Sequence, residues 1–121
     1  MSALRPLLWI GSSKNDLQDM PEDVQRDMGF ALFRAQQGKK HDTAKPLKGF
    51  GSAGVLEVVE SDESGTYRAV YTVRLKSGVY VLHCFQKKST RGIKTSDQDI
   101  QLIKARLKAA EEIDRMREGG Q

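Results

Sequence analysis

Cysteine occurs once in the 121 residues, at position 84. A lone cysteine excludes an intramolecular disulfide and a cysteine-rich zinc site. Its neighbours Val81, Leu82 and Phe85 mark it as a small buried hydrophobe rather than a reactive thiol. Histidine is almost as scarce, at His41 and His83 only, and the acids around the middle of the chain are scattered as Asp42, Glu57, Glu60, Asp62 and Glu63. A two-metal nuclease is therefore disfavoured, and neither a metal nor a cofactor is expected. No apolar run approaches the length of a membrane span, and the opening Leu7 to Ile10 is too short for a secretory signal. The expectation is a cytoplasmic protein with no membrane contact.

The most informative absence is of negative charge between residues 66 and 94. That stretch holds Arg68, Arg74, Lys76, Lys87, Lys88, Arg91 and Lys94 and no Asp or Glu, although the chain has sixteen acids. A surface of one sign is a working surface for a polyanion, with RNA or DNA the first guess. The net charge of +4 is mild for such a protein, so the argument rests on where the charges sit.

A chain of this length makes about one domain, spanning 1–121, and buries roughly two-thirds of its unfolded surface. The pattern reads as a helical front, a strand-rich middle and a helical tail. Leu7 to Ile10, ended by Gly11, reads as a short strand, and Ser12 or Ser13 caps a helical turn through Asp19. Pro21 opens a second helix, in which Val24, Met28, Ala31, Leu32 and Ala35 form one apolar stripe until Gly38. Lys39 to Gly54 reads as a basic, glycine-rich loop and not a phosphate-binding loop, because no strand precedes its glycines and no helix follows them. Val55 to Glu60, Thr66 to Leu75 and Val79 to Phe85 then make a three-stranded antiparallel meander joined by two tight turns, to which the N-terminal strand can add. After a basic loop over 86–94, Ser96 caps a last helix whose packing face is Ile100, Ile103, Leu107, Ala110 and Ile113. Residues 115–121 are expected to fray.

Strand parity decides which basic residues can act together. Tyr67, Ala69, Tyr71 and Val73 share the face better suited to helix packing, which leaves Arg68 with Val70, Thr72 and Arg74 on a face part apolar and part cationic. Arg68 there is equally well read as a surface residue paired with Glu57 or Glu60 of the neighbouring strand. His83 and Phe85 share a face of the last strand, and Lys87 and Lys88 follow where the strand runs out, a good placement for phosphate ligands or a general base. A lone histidine in an apolar strand is more often structural than catalytic. Cleavage of an RNA phosphodiester by its own 2′-hydroxyl needs a proton acceptor, cations against the phosphorane charge and an acid for the leaving oxygen. Lysine and arginine can supply the second, and clustered positive charge lowers a neighbouring lysine pKa towards a usable range.

Five blocks in order resemble the RelE/ParE toxin superfamily, and within it the HigB-like, phage-related branch: Lys-Pro-Leu-Lys-Gly (45–49), Val-Leu-Glu-Val (55–58), Tyr-Arg-Ala-Val-Tyr (67–71), Leu-His-Cys-Phe-Gln-Lys-Lys-Ser (82–89) and a helix after Thr-Ser-Asp-Gln-Asp (95–99). The resemblance runs from Trp9 to about Ala110. It implies an α+β fold: a small antiparallel sheet of about four strands, two N-terminal helices packed on it and a C-terminal helix. It also implies the toxin of a type II toxin-antitoxin system, an endoribonuclease that cuts mRNA on the ribosome and inhibits translation, with a cognate helix-turn-helix antitoxin. Operator DNA would be reached only through that antitoxin. Carried over by position, Arg68 stabilises the phosphate and Lys87 transfers a proton, while Lys48, Lys88 and Arg91 grip the RNA backbone and His83 is an optional participant. The chain departs from the pattern in its long C-terminal helix, which offers no clear terminal base. Two other readings share the fold: a ParE-like inhibitor of DNA gyrase, and a non-catalytic nucleic-acid-binding or antitoxin-binding protein of phage origin.

Overall fold

The computed structural model describes residues 4–87 and 95–119. Strand β1 (Leu7–Trp9) leads into helices α1 (Ser13–Gln18) and α2 (Glu22–Gln36). Strands β2 (Lys45–Pro46), β3 (Val55–Asp62), β4 (Gly65–Thr72) and β5 (Val79–Lys87) follow, and helix α3 (Asp97–Gly119) closes the chain. The strands form one sheet in the order β1-β5-β4-β3-β2. β3, β4 and β5 are the expected antiparallel meander, while β1 adds to β5 in parallel. This is an α+β architecture with five strands and helices on both faces of the sheet.

Each helix lies where its apolar stripe sends it. Val24, Met28, Ala31, Leu32 and Ala35 of α2 are buried against Val58, Ala69, Tyr71, Val81 and Cys84 on one face. On the other face Ile103 and Ala110 of α3 pack on Val55, Val70, Tyr80 and Leu82, with Ile10 and Leu47 at the margin. Burying each of the larger side chains contributes about 1.5–3 kcal/mol relative to leaving it in water. Cys84 is part of the first cluster, and burial pushes its thiol up to about 12, so it is core as the sequence indicates.

Two features differ from the sequence reading. Lys45–Pro46 pairs with Leu56 and Glu57 as an edge strand, where a loop is expected; two residues, one of them proline, carry no periodic signal. Ile113 is exposed and its neighbour Asp114 is buried instead, because the inward positions 103, 107, 110 and 114 follow the helical period and Ile113 falls off it. Among the described residues no helix is long and apolar enough to cross a membrane.

The β4–β5 turn is clamped from two sides. The Arg5 guanidinium donates to the carbonyls of Val73, Leu75 and Gly78. Asp114 accepts from the Ser77 amide at 2.6 Å, the Lys76 amide at 3.1 Å and the Tyr80 hydroxyl at 3.2 Å. Desolvation raises the pKa of that carboxyl, but these hydrogen bonds outweigh it and hold it below the ordinary aspartate value.

Candidate functional site

A β-bulge sets which side chains of β5 meet β4 on the α3 face. Val70 pairs with His83 but Tyr71 pairs with Val81, so Leu82 is an extra residue in β5. Before the bulge Tyr80 faces α3 by ordinary alternation; after it the phase is reset, and His83, Phe85 and Lys87 join Tyr80 and Leu82 on that face. The Leu82 carbonyl accepts from Arg106 Nη1 of α3 at 2.9 Å, and Arg106 Nη2 reaches the Ser12 hydroxyl at 3.2 Å. α3 thus supports the irregularity that aims the three residues.

The register lays the α3 face out in rows. Lys45, Glu57, Val70 and His83 form one row across β2 to β5, Val59, Arg68 and Phe85 the next, and Ser61, Thr66 and Lys87 the last. Arg68 is 4% exposed, and its Nη1 lies 2.7 Å from Glu57 Oε2 on the diagonal of two rows. The cross-strand pairing weighed for Arg68 is the arrangement found, and Glu57 is the partner. Lys87 follows one row on. Desolvation and then the Arg68 charge hold its ammonium below the ordinary lysine value, while Glu57 pulls the other way. Arg68, Glu57 and Lys87 are therefore one electrostatic unit.

His83 is 7% exposed and donates through Nε2 to Asp99 Oδ1 at 2.8 Å, across the gap between β5 and the first turn of α3. Its ring stacks on Phe85, with centroids 4.3 Å apart and planes 16° apart. Asp99 is fixed from its own helix as well: Ser96 Oγ donates to its Oδ2 at 2.7 Å, and the Asp99 amide donates to Ser96 Oγ at 3.2 Å. Ser96 thus caps the start of α3 as the sequence indicates, its hydroxyl bonded to both the amide and the carboxylate of Asp99. His83, Phe85, Lys87 and Asp99 open onto a cavity of about 810 Å³ between α1, the end of β5 and the start of α3.

The structure brings Arg68, Lys87 and His83 to one region of one face. Lys48 lies elsewhere. It is exposed, and its neighbour Leu47 bonds Val55, which pairs with Thr72, six positions along β4 from Thr66 or roughly 20 Å of strand. The register gives the place opposite Glu57 to Lys45 instead. Lys88 and Arg91 lie outside the described residues. Sequence reasoning missed Asp99 and Ser96 as parts of the site, because a contact between residues 83 and 99 leaves no local pattern. His41 stays away, with Nδ1 2.8 Å from the Thr43 hydroxyl and its ring edge-on to Phe30. Among the described residues, no three His, Cys, Asp or Glu side chains converge as a metal site.

No curated protein matches the chain. A family model described as phage-derived Gp49-like protein matches residues 15–108, a span that holds most of α1, all of α2 and strands β2 to β5, and the first half of α3. By that match over most of its length, the chain belongs to the phage-derived Gp49-like family.

Proposed function

We propose that this protein is the toxin of a type II toxin-antitoxin system and acts as a ribosome-dependent endoribonuclease on mRNA, of the kind the RelE and HigB resemblance implies. The observation that carries the reading is the Arg68–Lys87 unit: a buried guanidinium beside a lysine whose ammonium loses its proton more readily than usual. Phosphodiester cleavage by the 2′-hydroxyl needs positive charge at the phosphorane and a proton donor for the leaving 5′-oxygen. In this reading Lys87 donates that proton, and the neighbouring Arg68 charge makes it easier to release. Membership in a phage-derived family and the acid-free stretch 66–94 support the same reading. The partners would be a helix-turn-helix antitoxin and the ribosome with its mRNA.

Glu57 has a specific place in this scheme. It fixes Arg68 and cancels part of its charge while no phosphate is bound. Substitution of Arg68 by alanine removes the phosphate ligand but also strands Glu57, at a cost on the order of 3 kcal/mol in stability. Loss of toxicity in Arg68→Ala would then not separate chemistry from folding. Arg68→Lys keeps a charge for Glu57 and loses only the planar fork.

Controlled expression in a bacterial host tests the proposal. The wild type arrests growth and translation, and Arg68→Lys and Lys87→Ala grow while their purified proteins melt within a few degrees of wild type. Growth arrest with intact mRNA and an induced DNA-damage response would transfer the protein to the gyrase-inhibitor class. Undisturbed growth with folded wild-type protein would leave the non-catalytic reading.

A further inference from the structure

The proposed reaction needs an acceptor for the 2′-hydroxyl proton, and neither Arg68 nor a charged Lys87 can take it. We propose that His83 is that acceptor and that Asp99, on the first turn of α3, is its positioning residue. The inference rests on the endoribonuclease reading above.

Three observations carry it. A carboxylate can only accept, so the 2.8 Å contact from His83 Nε2 to Asp99 Oδ1 puts the imidazole hydrogen on Nε2 and leaves Nδ1 with a bare lone pair. That Nδ1 is buried and has no hydrogen-bond partner among the described residues. A buried ring nitrogen without a partner is uncommon, and a ligand hydroxyl would supply the missing bond. Asp99 cannot swing away from the ring, because the Ser96 hydroxyl holds its other oxygen and its place in the helix fixes its backbone. The arrangement is the one in which a carboxylate fixes the tautomer of a histidine base.

The bulge at Leu82 makes the pair possible. With ordinary alternation Leu82 would face α3 and His83 the opposite side of the sheet; the extra residue brings His83 to Asp99 and onto the face that carries Lys87. The charged groups around the imidazole are Asp99 from α3, Lys87 from β5, Asp16 from α1 and Asp19 just after it, all lining the same cavity.

The step balances without a co-reactant. The 2′-hydroxyl proton passes to His83 Nδ1, the 2′-oxygen bonds to phosphorus, and the bond from phosphorus to the 5′-oxygen breaks. Lys87 gives that oxygen its proton. The products are a 2′,3′-cyclic phosphate and a 5′-hydroxyl, and one proton exchange through water, from imidazolium to the lysine amine, restores the enzyme.

Single-turnover cleavage of mRNA bound in purified, programmed ribosomes, followed across pH, tests the assignment. Asp99→Asn removes the charge and presents an amide that favours the wrong tautomer. It is expected to slow cleavage at least about 100-fold. It should also move the acid limb of the pH profile to lower pH, because the imidazolium loses its counter-charge, and leave ribosome binding unchanged. Asp99→Glu should recover part of the rate. Asp114→Ala unclamps the β4–β5 turn near the other end of α3 and controls for structure: it should lower the melting temperature and leave the acid limb in place. Adding His83→Asn to Asp99→Asn should cost little more than either alone. Wild-type-like cleavage by Asp99→Asn, or an acid limb that stays put, would overturn the pairing while leaving the endoribonuclease reading intact. Failure of the wild type to cut under the same conditions would remove both.

Discussion

Lys87 is the residue on whose charge state the proposed chemistry depends most directly. Its folded pKa is lowered by desolvation and by Arg68, so the ammonium persists below that lowered value and is lost as pH rises through it. If Lys87 is the proton donor, activity declines on the alkaline side earlier than an ordinary lysine would allow. Lys87→Arg keeps the positive charge but cannot release a proton in this range; cleavage should fall about 10²-fold or more, with substrate binding retained. Asp114 supplies a stability prediction at the same scale. Asp114→Ala leaves two amides and a tyrosine hydroxyl without their acceptor and should cost about 3 kcal/mol in urea unfolding. The sign with pH follows from its lowered pKa: its contribution is complete above the ordinary carboxylate range and disappears as pH falls through the folded value. The wild type should therefore lose more stability on acidification than the variant. Of these residues, Arg68 was picked out by strand alternation and Lys87 by its position where the last strand runs out. The Glu57 partner was one of two that cross-strand geometry allowed. Asp99 and Asp114 were not legible, since each acts on a strand or turn far from it in the chain.

At the level of elements, the bulge in β5 decides the site. Apolar alternation along Val79 to Phe85 is ambiguous when nearly every residue is buried, so the sequence showed a strand but not the extra residue in it. Arg106 is the side chain that answers the Leu82 carbonyl. Arg106→Ala should cost about 1–3 kcal/mol, measured by denaturant midpoint, and should reduce cleavage further than that loss explains, because His83 and Lys87 depend on the phase the bulge sets. Gly78 is the other fixed point: a Cβ there would stand 2.5 Å from the Pro6 carbonyl oxygen, whose bond to the Val79 amide opens the β1–β5 pairing. Gly78→Ala should lower stability markedly, since backbone rather than a yielding side chain is in the way. The helical stripe of α2 and the meander were readable because long periods and tight turns leave repeated marks. β2 left none, being two residues long, and Ile113 misled because it is apolar and one position off the buried row.

Over the whole molecule, the net charge is a modest +4, and Arg68, His83 and Lys87 all fall within the long acid-free stretch 66–94. The fold arranges this with apolar clusters on both faces and the Arg68, Lys87, His83 and Asp99 groups near one end of the α3 face. Family membership places the chain among phage-derived proteins and leaves its chemistry to be read from those groups. The measurement that bears most directly on that chemistry is primer extension on a translated reporter mRNA after induction of the wild-type protein. The expected result is discrete cuts within codons that appear only while the message is being translated, that vanish when its start codon is removed, and that fade in Lys87→Arg. An intact transcript in growth-arrested cells would contradict it.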